Sequence, residues 1–160
     1  MTPAQAANSL FTTMPQPVSI AQLEEYGIDA TETGAAQISR EILSLNLYWI
    51  LAAIDSHIPL KYQNTIRERL FESIKTTWWQ VGQAGTGSWE AYTKELDERR
   101  ALYGRLVDQE GMSHMGVCAA TASLIEDLGI VESDDRQKLL VLLIDYAPAT
   151  AYGRLLEEVG

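Results

Sequence analysis

Two histidines are the first residues to weigh for chemistry. His57 follows Asp55 at the end of an apolar run, and His114 stands four residues after Glu110. Imidazole and carboxylate together suit a transition metal. Asp55, His57, Glu110 and His114 are therefore a candidate mononuclear metal site, provided that two helix ends converge. A di-iron carboxylate bundle needs two Glu-x-x-His pairs, and that spacing does not occur in the chain. A plainer account puts His57 at a helix C-terminus, where the macrodipole favours a cation, and His114 in a partly exposed first turn. That account needs no cofactor, and it is the one adopted.

Nucleophilic chemistry has less to build on. Gly-x-Ser-x-Gly is absent, so no nucleophile elbow is expected. Cys118 and His114, four residues apart, can share a helix face, but no third group orients them and the surroundings are alanine-rich. Cys118 reads as a small buried hydrophobe. The loop Gly82–Gly87 precedes a helix and could cradle an anion. It lacks the Gly-Lys-Ser/Thr ending of a P-loop, and a helix rather than a strand leads into it, so a flexible helix connection is the better account.

The aromatic residues say more. Trp78 and Trp79 end one helix and Trp89 opens the next. Adjacent helical side chains point about 100° apart. With Trp78 on the buried stripe, Trp79 is expected to face away from the main core. It then either plugs a corner beneath another helix or stands exposed as a binding hot spot. In the second case Trp78, Trp79 and Trp89 are the contact, and Arg99 and Arg100 supply polar rim groups.

Composition narrows the partners. The 160 residues carry 12 Lys and Arg against 22 Asp and Glu, a formal net charge of -10, with 46% hydrophobic residues. One domain of this size can bury a substantial core. The scattered basic residues offer no footprint for phosphates, so nucleic acid is excluded as a partner, and an anionic membrane surface would repel the chain. A single cysteine rules out an internal disulfide scaffold. Residues 1–18 show no basic n-region or continuous apolar h-region, and the stretch 42–54 is shorter than the ~20 residues of a membrane span. A cytoplasmic location is the expectation.

The elements that must position these groups read as helices throughout. Residues 1–18, rich in Ala, Gln, Thr and Pro, read as a flexible N-terminal arm, and 19–160 as the folded domain. Ser19 with Gln22 caps a short helix, closed by Gly27. A long helix over 35–56 carries one stripe of Ile38, Ile42, Leu45, Trp49 and Ala52, and a nearly opposite stripe of Leu43, Leu47, Ile50 and Ile54. A helix apolar around most of its girth packs on several sides, so it is placed at the centre.

Further helices follow over about 60–81, where Tyr62, Ile66, Leu70, Ile74, Trp78 and Val81 make one face, and over about 89–110. A helix over about 112–128 is narrow, with small residues from Gly116 to Ser123. The next is capped by Ser133 and contains the run 139–144, apolar on every side. A short last helix follows Pro148 and ends near Glu158. The echo of Tyr103-Gly104-Arg105-Leu106 in Tyr152-Gly153-Arg154-Leu155 reads as a shared packing device, with each Arg pairing an acid three residues on. The expected fold is an all-α single-domain bundle of about five or six helices around the 35–56 helix.

Three functions are compatible with this sequence. The first is a non-enzymatic interaction or regulatory module that binds another protein or itself through the tryptophan corner. The second is a small-molecule or metal-binding bundle with a pocket near Asp55 and His57, lined by Tyr48, Trp49 and Tyr62. The third is an acidic inhibitor or immunity-type protein that meets a basic partner and releases it in salt.

Overall fold

A computed structural model describes residues 1–79 and 87–157, which form eight α-helices and no strand. In chain order these are α1 (Pro3–Thr13), α2 (Ile20–Glu25), α3 (Glu32–His57), α4 (Leu60–Ile74), α5 (Trp89–Asp108), α6 (His114–Asp127), α7 (Arg136–Asp145) and α8 (Ala149–Leu156). A π turn, Lys75–Trp79, continues α4, and a 3-10 turn, Ser133–Asp135, leads into α7. Val81, Glu158, Gly160 and the glycine loop up to Thr86 lie outside the described residues.

The architecture follows from α3. Its two apolar stripes face two different hydrophobic clusters. Leu43, Leu47, Ile50, Leu51 and Ile54 join α1, α4, the π turn, the start of α5 and α8. Ile38, Ile42 and Leu45 join α2, the later part of α5, α6 and α7. The polar residues that interrupt its apolar run are buried with their partners in place. Asn46 donates to the carbonyls of Ile42 (2.9 Å) and Tyr146 (2.8 Å) and accepts from the Tyr152 hydroxyl (2.7 Å). Ser44 and the Tyr92 hydroxyl are 3.0 Å apart. These bonds tie α8 and α5 to the central helix at fixed heights, because a buried polar group left unpaired would cost ~1–3 kcal/mol.

The local stop and start signals are those expected at several ends. Ser19 and Gln22 form a reciprocal capping box, and Gly27 takes the left-handed conformation, φ 77°, that closes α2. Ser88 caps α5 and Ser113 caps α6. Ser133 does not cap α7, since the 3-10 turn intervenes and no side chain caps either segment.

The N-terminal segment is not the arm that its composition suggests. Thr2 and Gln5 form a capping box that starts α1. Ala6, Ala7 and Leu10 then lie wholly inside the core, followed by Met14, and Phe11 packs against the same cluster. Small alanines let α1 approach α4 and α8 closely, which is why a segment with so few large apolar residues docks at all. This helix also raises the count above five or six.

Candidate functional site

The tryptophan corner is interior rather than surface. Trp78 is 5% and Trp79 8% exposed. Trp78 meets Phe11 of α1, ring centroids 4.9 Å apart. Trp79 lies 4.7 Å from the Tyr92 ring and 5.6 Å from Trp89, and its indole N–H donates to the Gly87 carbonyl at 3.1 Å. The Arg40 guanidinium stands 5.0 Å from the Trp79 ring centroid. Trp79 does turn away from Trp78, as adjacent helical residues must, but α5 covers it there. Only Trp89 is half-buried. The corner plug replaces the exposed hot spot.

Arg99 and Arg100 do not rim that corner together. Arg99 makes a two-point ion pair with Glu41 of α3, at 2.8 and 3.1 Å, and Glu41 is only 3% exposed. The hydrogen bond that Arg99 donates to that carboxylate pushes the Arg99 pKa further up. Arg40 reaches back from α3 to Glu95 of α5 at 2.6 Å. The two crossed pairs, with Tyr92 and Ser44, clamp α3 to α5 in one register. Burial raises the Tyr92 pKa, so its hydroxyl stays neutral and hydrogen-bonded.

The four residues of the candidate metal site are not brought together either. Asp55 is paired with Arg67 of α4. His57 is exposed at the end of α3 beside Gly153 of α8, where an added Cβ would sit 3.4 Å from its Nε2. His114, at the start of α6, meets the edge of Trp49 at 5.5 Å and hydrogen-bonds to the Ala147 backbone, and burial lowers its pKa. Glu110 is exposed beyond the end of α5. Among the described residues, no three His, Cys, Asp or Glu side chains form a metal-binding group. Cys118 is 3.7 Å from the His114 ring, but burial pushes its thiol up to about 11, so it is a packed thiol and not a thiolate.

The pocket residues divide as well. Tyr48, Ala52, Asp55 and Ser56 of α3 face Arg100, Gly104 and Asp108 of α5 across a groove of about 330 Å³. Burial raises the Tyr48 pKa. Trp49, His57 and Tyr62 do not line this groove. The two halves of the sequence echo also differ: Gly104 opens on this groove, while Gly153 sits under His57. Among the described residues, neither Arg105 with Asp108 nor Arg154 with Glu157 forms an ion pair.

Exposed apolar side chains lie elsewhere, at Leu60 of α4 (83%), Met115 of α6 (61%), Leu128 (54%) and Val141 of α7 (51%). The run 139–144 is apolar on every side of α7. Its Leu139, Leu142 and Leu143 are fully buried, whereas Val141 is 51% exposed and Leu140 and Ile144 are half-buried. Gln137, Leu140, Val141, Ile144 and Asp145 recur at three- and four-residue steps, so they share one outer stripe of α7. Beside it, Ala119, Ala122 and Ser123 of α6 and Arg136, Gln137 and Leu140 of α7 line a furrow of about 140 Å³. Met115, on the same helix as Ala119 and one turn before it, is 61% exposed. Sequence reasoning missed this face, though a signal existed. A helix apolar all round needs neighbours all round, and few elements remained in the chain to supply them.

Comparison with known proteins returns no match to a family model, a curated protein or a solved structure.

Proposed function

We propose that the protein is a helical protein-binding module whose contact surface is the outer face of α6 and α7. The observation that carries this reading is Val141, 51% exposed between Leu140 and Ile144, which are half-buried against the core, together with Met115 of α6, 61% exposed. The segment Ser133–Leu156 is long and apolar enough by composition to cross a membrane, yet only 33% of its most apolar window is buried. It is not one rod, since the chain breaks at Ala147 and Pro148 between α7 and α8. An apolar helix face left in water is costly at ~25 cal/mol per Å², and such patches on soluble proteins mark binding surfaces. The rim of this patch is polar, with Arg136, Gln137, Lys138 and Asp145 around it, as in other protein interfaces. The binding role first assigned to the tryptophan corner passes to this face.

A photo-crosslinking residue at position 141, in the full chain expressed in its native cells, tests the reading. The expected result is a covalent adduct with a protein, absent when the same residue stands at Asp97 on the exposed side of α5. Equal labelling at both positions, or none at 141, would overturn it.

A further inference from the structure

The groove between α3 and α5 is separate from the α6–α7 face. On α3, Tyr48, Ala52 and Ser56 follow one another at four-residue steps, and on α5 Arg100, Gly104 and Asp108 do the same. Residues at this spacing form one row along a helix, and both rows line the groove. Arg100 is half-buried there, and among the described residues neither it nor Asp108 forms an ion pair. The remaining charge, Asp55, is already taken by Arg67. The groove thus holds one cation and one anion, each without an ion-pair partner. We propose that it binds a short peptide of about three residues with both ends free, its carboxylate on Arg100 and its ammonium on Asp108.

Length and charge select this ligand. From Arg100 to Asp108 the α5 backbone rises about 12 Å. A single amino acid carries its two charges too close together to reach both groups, whereas three extended residues span roughly 10 Å. A purely anionic ligand would be repelled by Asp108 and a purely cationic one by Arg100. Ala52 and Gly104 stand midway along the two rows. A Cβ added at Gly104 would meet nothing within 4 Å, so a peptide backbone has room to lie between the charges. The volume of about 330 Å³ is at the lower end of the range for small-ligand sites.

Tyr48 is held in place between the two charges. Its ring makes edge contacts with Trp49 and Tyr103, centroids 5.0 and 5.7 Å apart. Burial is the main cause that raises its pKa; Asp108 adds to the rise and Arg100 opposes it. Both charges therefore lie within electrostatic reach of this one hydroxyl. It stays protonated and is able to donate a hydrogen bond to a carbonyl of the bound peptide.

Isothermal titration calorimetry of the full chain with trialanine provides the test. A ligand of this size should bind with a Kd of roughly 0.1–1 mM. N-acetyl-trialanine lacks the ammonium and trialanine amide lacks the carboxylate, so each should bind roughly tenfold more weakly or worse. Arg100→Gln should weaken trialanine binding to the same extent, whereas Arg105→Gln, at an exposed position of α5, should leave it unchanged. Gly104→Leu should abolish binding by filling the groove, with an unchanged circular dichroism spectrum, since leucine is favoured over glycine in a helix. No binding of trialanine at about 5 mM would overturn the proposal. Equal affinity for either blocked peptide would overturn it too, because the paired charges would then have no role. So would binding undiminished in both Arg100→Gln and Gly104→Leu, which would place the peptide elsewhere. The crosslinking experiment at position 141 tests the α6–α7 face separately from these outcomes.

Discussion

The residue that best shows how charge is used in this protein is Glu41. It lies in the middle of an apolar helix, 3% exposed, with its carboxylate held by two bonds from Arg99. A buried pair of this kind adds little net stability, because desolvation offsets the attraction, but removing one partner strands the other charge. Glu41→Ala should therefore destabilise the fold by about 3 kcal/mol in urea unfolding. The double change Glu41→Leu with Arg99→Met should cost less than half as much, since neither charge is then left inside. A double variant as unstable as Glu41→Ala would show that the pair contributes through shape and not charge. Nothing in the sequence distinguished Arg99 from Arg100. Both sit on the same helix, one residue apart, and only the position of α3 pairs one with Glu41 and leaves the other lining a groove.

Among the elements, α1 differs most from expectation. Its sequence offers Leu10 and Phe11 as the only large apolar residues within the helix, which is why composition suggested an arm. In the fold, Leu10 is 0% exposed and Phe11 covers Trp78. Leu10→Ala should then cost about 3 kcal/mol in thermal or urea unfolding, the usual range for a fully buried leucine. A loosely attached arm would give no measurable change. The α3 helix is the opposite case. Its two stripes, its place at the centre and its extent to within a few residues were all legible, because periodicity records how many sides of a helix are covered. The run Leu139–Ile144 is likewise apolar on every side, yet Val141 within it is 51% exposed. Apolar residues on every side give the capacity to pack, and tertiary contacts decide how much of it is used.

At the scale of the molecule the net charge of -10 bears on association. A chain of this length has a radius of gyration of about 15 Å. Two such bodies in contact, centres about 30 Å apart, would repel by roughly 14 kcal/mol in unscreened water. The ~8 Å screening length of physiological salt removes most of this. Any association of the chain with a second copy should therefore tighten between about 20 and about 150 mM NaCl in sedimentation equilibrium. Acidic recognition of a basic partner predicts the reverse, binding that collapses as salt rises. The sign of the salt dependence thus separates self-association from inhibitor-type binding.

The sequence by itself determined that the chain is helical, where most helices begin and end, and that the 35–56 region lies at the centre. Capping, glycine termini and apolar period are local properties, decided by a residue and its neighbours within one or two turns. Only the tertiary structure decided that Trp79 is covered and that Asp55, His57, Glu110 and His114 stay apart. It likewise decided that Arg99 pairs with Glu41 and that Val141 of α7 is left exposed. Those outcomes depend on which helix lies against which face. Many pairings bury a similar apolar area, and the choice among them rests on long-range contacts such as Phe11 with Trp78 and Arg99 with Glu41 that no local pattern encodes.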